Sequence, residues 1–403
     1  MRIGMLADVY KPYISGVTNF IDLNKKYLEA AGHEVFVFTF GHDDYEEVEE
    51  NVIRSAGLPI GKNITTVEVQ LNLRYDQRAR RLLRTMDIAH VHHPFISGTL
   101  ALRYCKPFNI PVVFTNHTRY DLTYQTYLPL LPEAIGDTLL HAFLPSFCKS
   151  CDLVIAPSEG MRGIMQDFGV TTPIDVLPNG VDIAPIKNVD EPMSRAKLGF
   201  AANDIVMVFV GRLGPEKDIP FMLRAFGGLH EAYPNVRLLL IGQGPDKENL
   251  EDRVQHMGLS DSVCFTGPIP YKDIPRYLAM SDLFIITSTG EGHPLTIIEA
   301  MAAGLPTMGV RTSGVSDTVV EGETGFLANK DLAAFTAKLG RLVTESDLRS
   351  RMSQAAKAAA EDYAIERTSQ LLLEHYEDVV SQKKGQGVRF GDRARRFFAQ
   401  IRP

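Results

Sequence analysis

Residues 283–300 read LFIITSTGEGHPLTIIEA. Leu283 to Thr287 is a strand-sized apolar run without polar alternation, the pattern of a strand covered on both faces. A loop follows, and a helix then runs from about Pro294 to a stop near Gly304. Pro294 suits the first turn, where a missing N–H costs little. The open end of such a helix, at Leu295 and Thr296, offers free N–H groups and a positive dipole end to a phosphate. Glu291 and Glu299 stand eight residues apart, one in the loop and one about two turns along the helix. That spacing excludes the close carboxylate pair of a retaining glycosidase. It fits a grip on both ends of an elongated ligand, with sugar hydroxyls at one end and a ribose at the other. It fits equally a capped helix with a surface Glu299.

Working outward, the same strand–loop–helix unit recurs. Ile205 to Val210, Arg237 to Ile241, Val263 to Thr266 and Pro306 to Val310 are further strand candidates in this half. Directly after the first of them comes Gly211-Arg212-Leu213-Gly214-Pro215-Glu216-Lys217. Glycine lets a backbone approach a diphosphate closely, Arg supplies a two-pronged donor and Lys a point charge. An ordinary surface loop also carries such residues. The first half has strand candidates at Arg2 to Ala7, Glu34 to Phe40, Ile88 to Val91, Val112 to Thr115, Leu153 to Ala156 and Ile174 to Leu177. A Pro/Gly loop from Lys11 to Gly16 precedes a helical pattern from Asn19 to Ala31. Gly16 stands at the place that matches the second half's loop and offers a backbone N–H to the same phosphates. Strands alternating with helices imply parallel sheets covered on both sides. The expected fold is therefore α/β, with two Rossmann-like domains facing across a cleft that holds the ligand. The expected boundaries are 1–182 for the N-terminal domain and 193–362 for the nucleotide-binding one, with Val181 to Pro192 as linker. A helix at 363–382 is expected to return to the N-terminal domain, and 383–403 to form a basic amphipathic tail.

Composition narrows the class. The 403 residues are 45% hydrophobic and 23% charged, which excludes a disordered or fibrous chain. No apolar run approaches the roughly 18 residues of a membrane-spanning helix. No secretory signal follows Met1, and four cysteines are too few for a disulfide framework, so a cytoplasmic setting is expected. Cys148 and Cys151 form one CxxC without a second, and read as incidentally buried. The net charge of −7 is unevenly spread. Seven basic residues and one acidic residue fall after Val380, between Lys383 and Pro403, which leaves the remainder at −13. Arg395 and Arg396 in this tail flank Phe397, Phe398 and Ile401, an arrangement suited to an interface. Arg74, Arg78, Arg81 and Arg84 recur at helical spacing opposite Tyr75, Ala79, Leu82, Leu83 and Met86. Either stretch alone reads as a solvated face. Two in an acidic protein point to an anionic membrane surface, at about 1 kcal/mol per basic residue. No nucleic-acid motif accompanies the charge.

Taken in order, the early Pro-x3-Gly loop, Pro178-Asn179-Gly180, the Gly-Arg-x4-Lys loop and the Glu-x7-Glu segment resemble the retaining nucleotide-sugar glycosyltransferases of family 4. These have the GT-B fold and include sucrose, glycogen and phosphatidylinositol-mannoside synthases. The resemblance covers residues 1 to 380 or so. It implies that Arg212 and Lys217 hold the donor diphosphate. Glu291 orients the transferred sugar with the backbone around His293, Pro294, Leu295 and Thr296, and Glu299 grips the ribose. Gly16 matches the phosphate-closing loop, and His117 resembles the histidine near the reacting carbon. Catalytic roles thus fall on His117, Arg212, Lys217 and Glu291. Ser15 departs from a commoner glycine, and His293-Pro294 from a commoner Phe-Gly. His92-His93-Pro94-Phe95 and the stretch with Tyr120, Tyr124 and Tyr127 resemble the acceptor side of diacylglycerol glucosyltransferases. The implied reaction passes a hexose, glucose from UDP-glucose, to a lipid such as 1,2-diacylglycerol with retention. It implies no cofactor and, with no Asp-x-Asp motif, no essential metal. It also implies peripheral attachment to the inner face of the plasma membrane. A soluble sugar or polyol acceptor, a nucleotide-sugar epimerase and a lipid-surface binder without turnover are the alternatives. The sequence leaves the oligomeric state open.

Overall fold

The computed structural model describes residues 1–13, 15–41, 49–56, 58–59, 70–71, 74–120, 122 and 133–385. The chain divides into two compact units, Met1–Gly180 with Ile365–Pro403, and Val181–Ala364. Arg395, Arg396, Tyr124 and Tyr127 lie outside the described residues.

The first unit carries a seven-stranded sheet. Its strands are β1 (Arg2–Leu6), β2 (Glu34–Phe40), β3 (Val52–Ser55), β6 (Ile88–Val91), β7 (Val112–Thr115), β8 (Leu153–Ala156) and β9 (Ile174–Val176), in the order β3-β2-β1-β6-β7-β8-β9. A separate two-residue ladder pairs β4 (Leu58–Pro59) with β5 (Gln70–Leu71). Every pairing in the large sheet is parallel. Ile3, Met5, Val35 and Val37 enter one buried layer while Leu6, Phe36 and Phe38 enter the other, so helices are needed on both faces.

The helix α1 (Gly16–Ala30) opens three residues earlier than the periodicity suggests. Ser15 caps it: the Ser15 hydroxyl accepts from the Thr18 amide at 3.2 Å, and Thr18 Oγ1 accepts from the Ser15 amide at 2.7 Å. A short polar residue thus replaces loop freedom with a capping box. The C-terminal helix Ile365–Gly385 packs on this unit through Leu372, Leu373, Tyr376 and Val380, which share a core with Phe20, Ile21 and Leu28. The Ser369 hydroxyl donates to Asn24 Oδ1 at 2.9 Å. The helix continues past residue 383, where the sequence suggested a tail, and Lys383 pairs with Asp152.

In the second unit the strands are β10 (Ile205–Val210), β11 (Val236–Ile241), β12 (Val263–Gly267), β13 (Leu283–Ile286), β14 (Thr307–Val310) and β15 (Gly325–Ala328). Their order is β12-β11-β10-β13-β14-β15, again all parallel. Val181 to Pro192 is not a bare linker. Ile183 and Ile186 are buried in this unit's core, and the Val181 amide donates to the Tyr363 carbonyl at 2.9 Å. Apolar side chains at that spacing drew the segment into the domain.

In each sheet the strand order reverses once, between β1 and β6 and between β10 and β13. Open parallel sheets bind ligands beyond the carboxyl ends of the strands at such reversals. Of the residues singled out above, the loops that leave β6, β10 and β13 carry His93, Arg212, Lys217, Glu291, His293 and Pro294.

Candidate active site

In the second unit the loops after β10 and β13 are tied to each other. Thr287 Oγ1 donates to the Lys217 carbonyl at 2.8 Å, and the Thr289 amide donates to the Glu216 carbonyl at 3.0 Å. This fixes Lys217 so that its ammonium meets Glu291 Oε1 at 2.5 Å. Both side chains are mostly covered, with 19% and 15% of their surface exposed. A charge pair at this depth retains more of its attraction than a surface pair does. Asp218, at φ 45°, makes the sharp turn from this loop into the helix Ile219–Ala232. Arg212 forks onto Glu216, with both contacts at 3.3 Å, and stays 57% exposed, within reach of solvent anions.

The helix Leu295–Ala302 begins one residue later than the sequence suggests. Pro294 is its N-cap, and no side chain caps the end. The end at Leu295 and Thr296 is therefore open to an anion, as the dipole argument requires. His293 packs on Tyr363 with ring centroids 5.5 Å apart, and burial lowers its pKa to about 4, so it is neutral near pH 7. Glu299 is the fifth helical residue, a little over one turn in rather than two. It is buried, not a surface residue. Burial raises its carboxyl to about 7, and a hydrogen bond from the Tyr271 hydroxyl pulls it part of the way back.

The glycines of this unit explain how the loops approach so closely. A Cβ on Gly242 would meet the Gly211 carbonyl oxygen at 1.9 Å, and one on Gly244 the Leu213 carbonyl oxygen at 2.2 Å. The loop after β11 thus lies flat against the Gly211–Lys217 loop, and the Leu213 amide donates to the Gln243 carbonyl at 3.0 Å. A Cβ on Gly314 would meet the Glu291 carbonyl oxygen at 2.6 Å.

In the first unit, His117 follows β7, and Gly16 is the first residue of α1. The space where Gly16 lacks a Cβ is open, with no atom within 4 Å. His117 Nε2 lies 3.1 Å from His92 Nδ1. His90 Nδ1 is 2.5 Å from the Tyr376 hydroxyl, and His90 Nε2 is 2.7 Å from Thr115 Oγ1. His93 is buried, and its Nδ1 accepts from the Asp8 amide at 3.2 Å, while Asp8 Oδ1 accepts from the Ser97 amide at 2.7 Å. Burial lowers the pKa of all four imidazoles. Among the described residues, no three His, Cys, Asp or Glu side chains are placed to hold a metal ion.

His93 and Tyr120 were expected to face an acceptor. Both are buried, and Tyr120 packs edge-on against Phe95 at 5.1 Å, beside the helical turn Pro94–Gly98 that His93 opens. Arg74, Arg78 and Arg81 are exposed, and Tyr75, Ala79, Leu83 and Met86 are buried behind them. The short helix α2 (Gln77–Leu83) thus presents a basic outer face. Arg84 turns away and stacks over the Phe108 ring at 4.6 Å. Among the described residues no helix is long and apolar enough to cross a membrane.

Glu216, Tyr271, Gly242 and Gly244 were given no role from the sequence, and His92 was named only within the stretch that resembles an acceptor side. The Gly-x-Gly pair after β11 was the available signal, because glycine at a strand end marks a close backbone approach. Tyr271 left none.

Residues 14–184 match the family model described as Glycosyltransferase Family 4, and residues 190–359 the one described as Glycosyl transferases group 1. The chain belongs to this family of glycosyltransferases, and its two Rossmann-like units are those of the GT-B fold. Among its relatives is the alpha-monoglucosyldiacylglycerol synthase of Acholeplasma laidlawii, 30% identical over 95% of this chain and 98% of that protein. The synthase of the same name from Streptococcus pneumoniae is 31% identical over 76% of this chain and 70% of that one. Anabaena HepE, solved with UDP and glucose, superimposes with a TM-score of 0.71 at 21% identity, covering 94% of this chain and 100% of that one. A sucrose-phosphate synthase from Thermosynechococcus elongatus reaches 0.74 at 19% identity, covering 94% and 99%. At such identities the two structures speak for the fold alone.

Proposed function

We propose that this glycosyltransferase moves a hexose, glucose from UDP-glucose, to the hydroxyl of a membrane lipid such as 1,2-diacylglycerol, with retained anomeric configuration. The observation that carries the donor half is the Lys217–Glu291 contact at 2.5 Å beside an uncapped helix N-terminus. A cation for the leaving diphosphate, a carboxylate for sugar hydroxyls and free amides lie within one pair of loops. The acceptor half is supported by the two relatives, which are named for glucosyl transfer to diacylglycerol.

In this reading, Arg212 leaves Glu216 to clasp the diphosphate with Lys217, and the amides of Leu295 and Thr296 add donors from the helix end. Charge that develops on the leaving group is met by preorganised donors, a contribution of about 3 kcal/mol for each one removed. Glu291 orients the sugar with the backbone at His293 and Pro294, and Glu299 accepts from the ribose hydroxyls. Gly16 gives phosphate a backbone N–H without side-chain hindrance, and His117 contacts the sugar. No side chain is assigned as covalent nucleophile. The acceptor hydroxyl attacks from the leaving-group face, and its proton passes to the departing phosphate oxygen. Arg74, Arg78 and Arg81, with Arg395 and Arg396 of the tail, draw the chain to anionic headgroups from the cytoplasmic side. His93 and Tyr120 belong to the acceptor side in this reading, and Arg84 backs the basic helix through its stacking on Phe108.

The test is incubation of the purified chain with UDP-glucose and vesicles containing diacylglycerol, with and without anionic lipid. UDP release together with glycolipid, faster on anionic vesicles, is the expected result. UDP release that requires a soluble sugar instead would overturn the lipid acceptor. No release with UDP-glucose, but release with GDP-mannose, would overturn the donor.

A further inference from the structure

Of the four imidazoles at the ends of β6 and β7, three have evident work. His90 spends both ring nitrogens on Tyr376 and Thr115, His93 accepts from the Asp8 amide, and His117 is the residue assigned to the sugar. His92 is different. It is 0% exposed, its Nδ1 lies 3.1 Å from His117 Nε2, and among the described residues its Nε2 has no hydrogen-bond partner. Phe20 closes over both rings, with centroids 5.5 Å from His92 and 4.7 Å from His117.

Two neutral imidazoles in contact share one proton, so one nitrogen donates and the other accepts. If His117 donated, the His92 proton would have to sit on Nε2, as a buried N–H without an acceptor. If His92 donates from Nδ1, what remains at its Nε2 is a bare lone pair. Orphaned buried N–H groups are rarer than under-satisfied acceptors. Burial keeps both rings neutral, so a doubly protonated ring cannot relieve the choice near pH 7.

We propose that His92 is a positioning residue whose Nδ1–H donates to His117 Nε2 and so holds His117 in the tautomer with its proton on Nδ1. The inference rests on the assignment of His117 to the donor sugar. His117 then meets the sugar as a neutral N–H donor. Its Nε2 is occupied, so it has no ring nitrogen free to take the acceptor's proton. His117 is thereby a hydrogen-bonding contact and not a general base, and the proton must leave by another route.

The direct test is nitrogen-15 NMR of the full chain labelled at histidine, with His92 and His117 signals assigned from the His92→Asn and His117→Gln variants. The expected spectrum has both residues protonated at Nδ1 and bare at Nε2. A His117 signal protonated at Nε2 would overturn the proposal. Kinetics with UDP-glucose and diacylglycerol vesicles give the second readout. His92→Asn keeps an amide donor where Nδ1–H was and should hold kcat near the wild-type value. His92→Leu should lower kcat by about 10-fold or more with less change in donor KM, as loss of a ring-orienting partner does elsewhere. A folded His92→Leu with wild-type kcat would contradict the positioning role. If that variant does not fold, the spectrum of the wild-type chain decides alone. Wild-type turnover in His117→Ala would remove the assignment of His117 itself, whereas the spectrum answers the tautomer question independently.

Discussion

Glu299 shows how far one side chain can be understood from its surroundings. A carboxylate among apolar neighbours prefers its proton, and its pKa of about 7 places it between charged and neutral near physiological pH. The sign for stability follows. The folded pKa lies above the unfolded value of 4.5, so the stability this group contributes is fully present below pH 4.5 and is lost as pH rises through 7. The displacement corresponds to roughly 3 kcal/mol at alkaline pH. Glu299→Gln should therefore melt like wild type at pH 5 and higher than wild type at pH 8, in thermal unfolding without donor. If ribose hydroxyls bind the charged form, wild-type donor KM should fall as pH rises through about 7, and the Gln variant should lose that dependence. A pH-independent wild-type KM would contradict the ribose role. The spacing of Glu291 and Glu299 was legible in the sequence. The burial of Glu299 was not, because spacing cannot tell an outward helix face from an inward one.

Elements explain why the site residues stay where they are. The strands were readable because parallel strands buried on both faces appear as unbroken apolar runs, as in Ile205 to Val210. Helix starts were read less well. The first helix begins at Gly16 because Ser15 and Thr18 form a capping box, a polar signal that apolar periodicity passes over. Loop-to-loop fit left only the Gly-x-Gly pair after β11 as a signal, and which backbone approaches it was not readable, since that depends on what the topology brings together. Gly244 is the clearest case: any Cβ there would meet Leu213 backbone atoms, which cannot rotate away as a side chain can. Gly244→Ala should lower stability by about 1–3 kcal/mol, as overpacking does. It should also raise donor KM by displacing the Gly211–Lys217 loop. Chemical denaturation and initial-rate kinetics check both, and an unchanged KM in a destabilised variant would separate the loop from donor binding.

At the scale of the molecule, the two units differ in their buried titrating groups. The first unit buries His90, His92 and His93 and half-buries His117, all with lowered pKa values and His90 at about 3. Their folded pKa values lie below the unfolded 6.5, so the stability they contribute is present above pH 6.5 and is lost as pH falls. Each adds a slope of up to about 1.4 kcal/mol per pH unit within its window. In the second unit His293, lowered to about 4, and Glu299, raised to about 7, act in opposite directions between pH 4.5 and 6.5 and largely cancel. Acid should therefore loosen the first unit before the second. Hydrogen exchange at pH 5 compared with pH 7.5 should show amides of β1, β6 and β7 losing protection ahead of β10 and β13, and the reverse order would contradict this balance.

The division into two alternating halves was visible from strand spacing, and family membership from four motifs in order. Nothing in local pattern placed Val181 in the second unit beside Tyr363, because that pairing joins residues 182 positions apart in the chain.

The measurement that tests the account most directly is the anomeric configuration of the lipid product formed from UDP-glucose and diacylglycerol, read by proton NMR of the purified glycolipid. An α-glucosyl lipid, with its configuration retained from the donor, is the result that Arg212, Lys217 and same-face attack predict. A β-linked product would contradict retention and the leaving-group chemistry assigned to this site. An untouched lipid beside hydrolysed donor would contradict the acceptor.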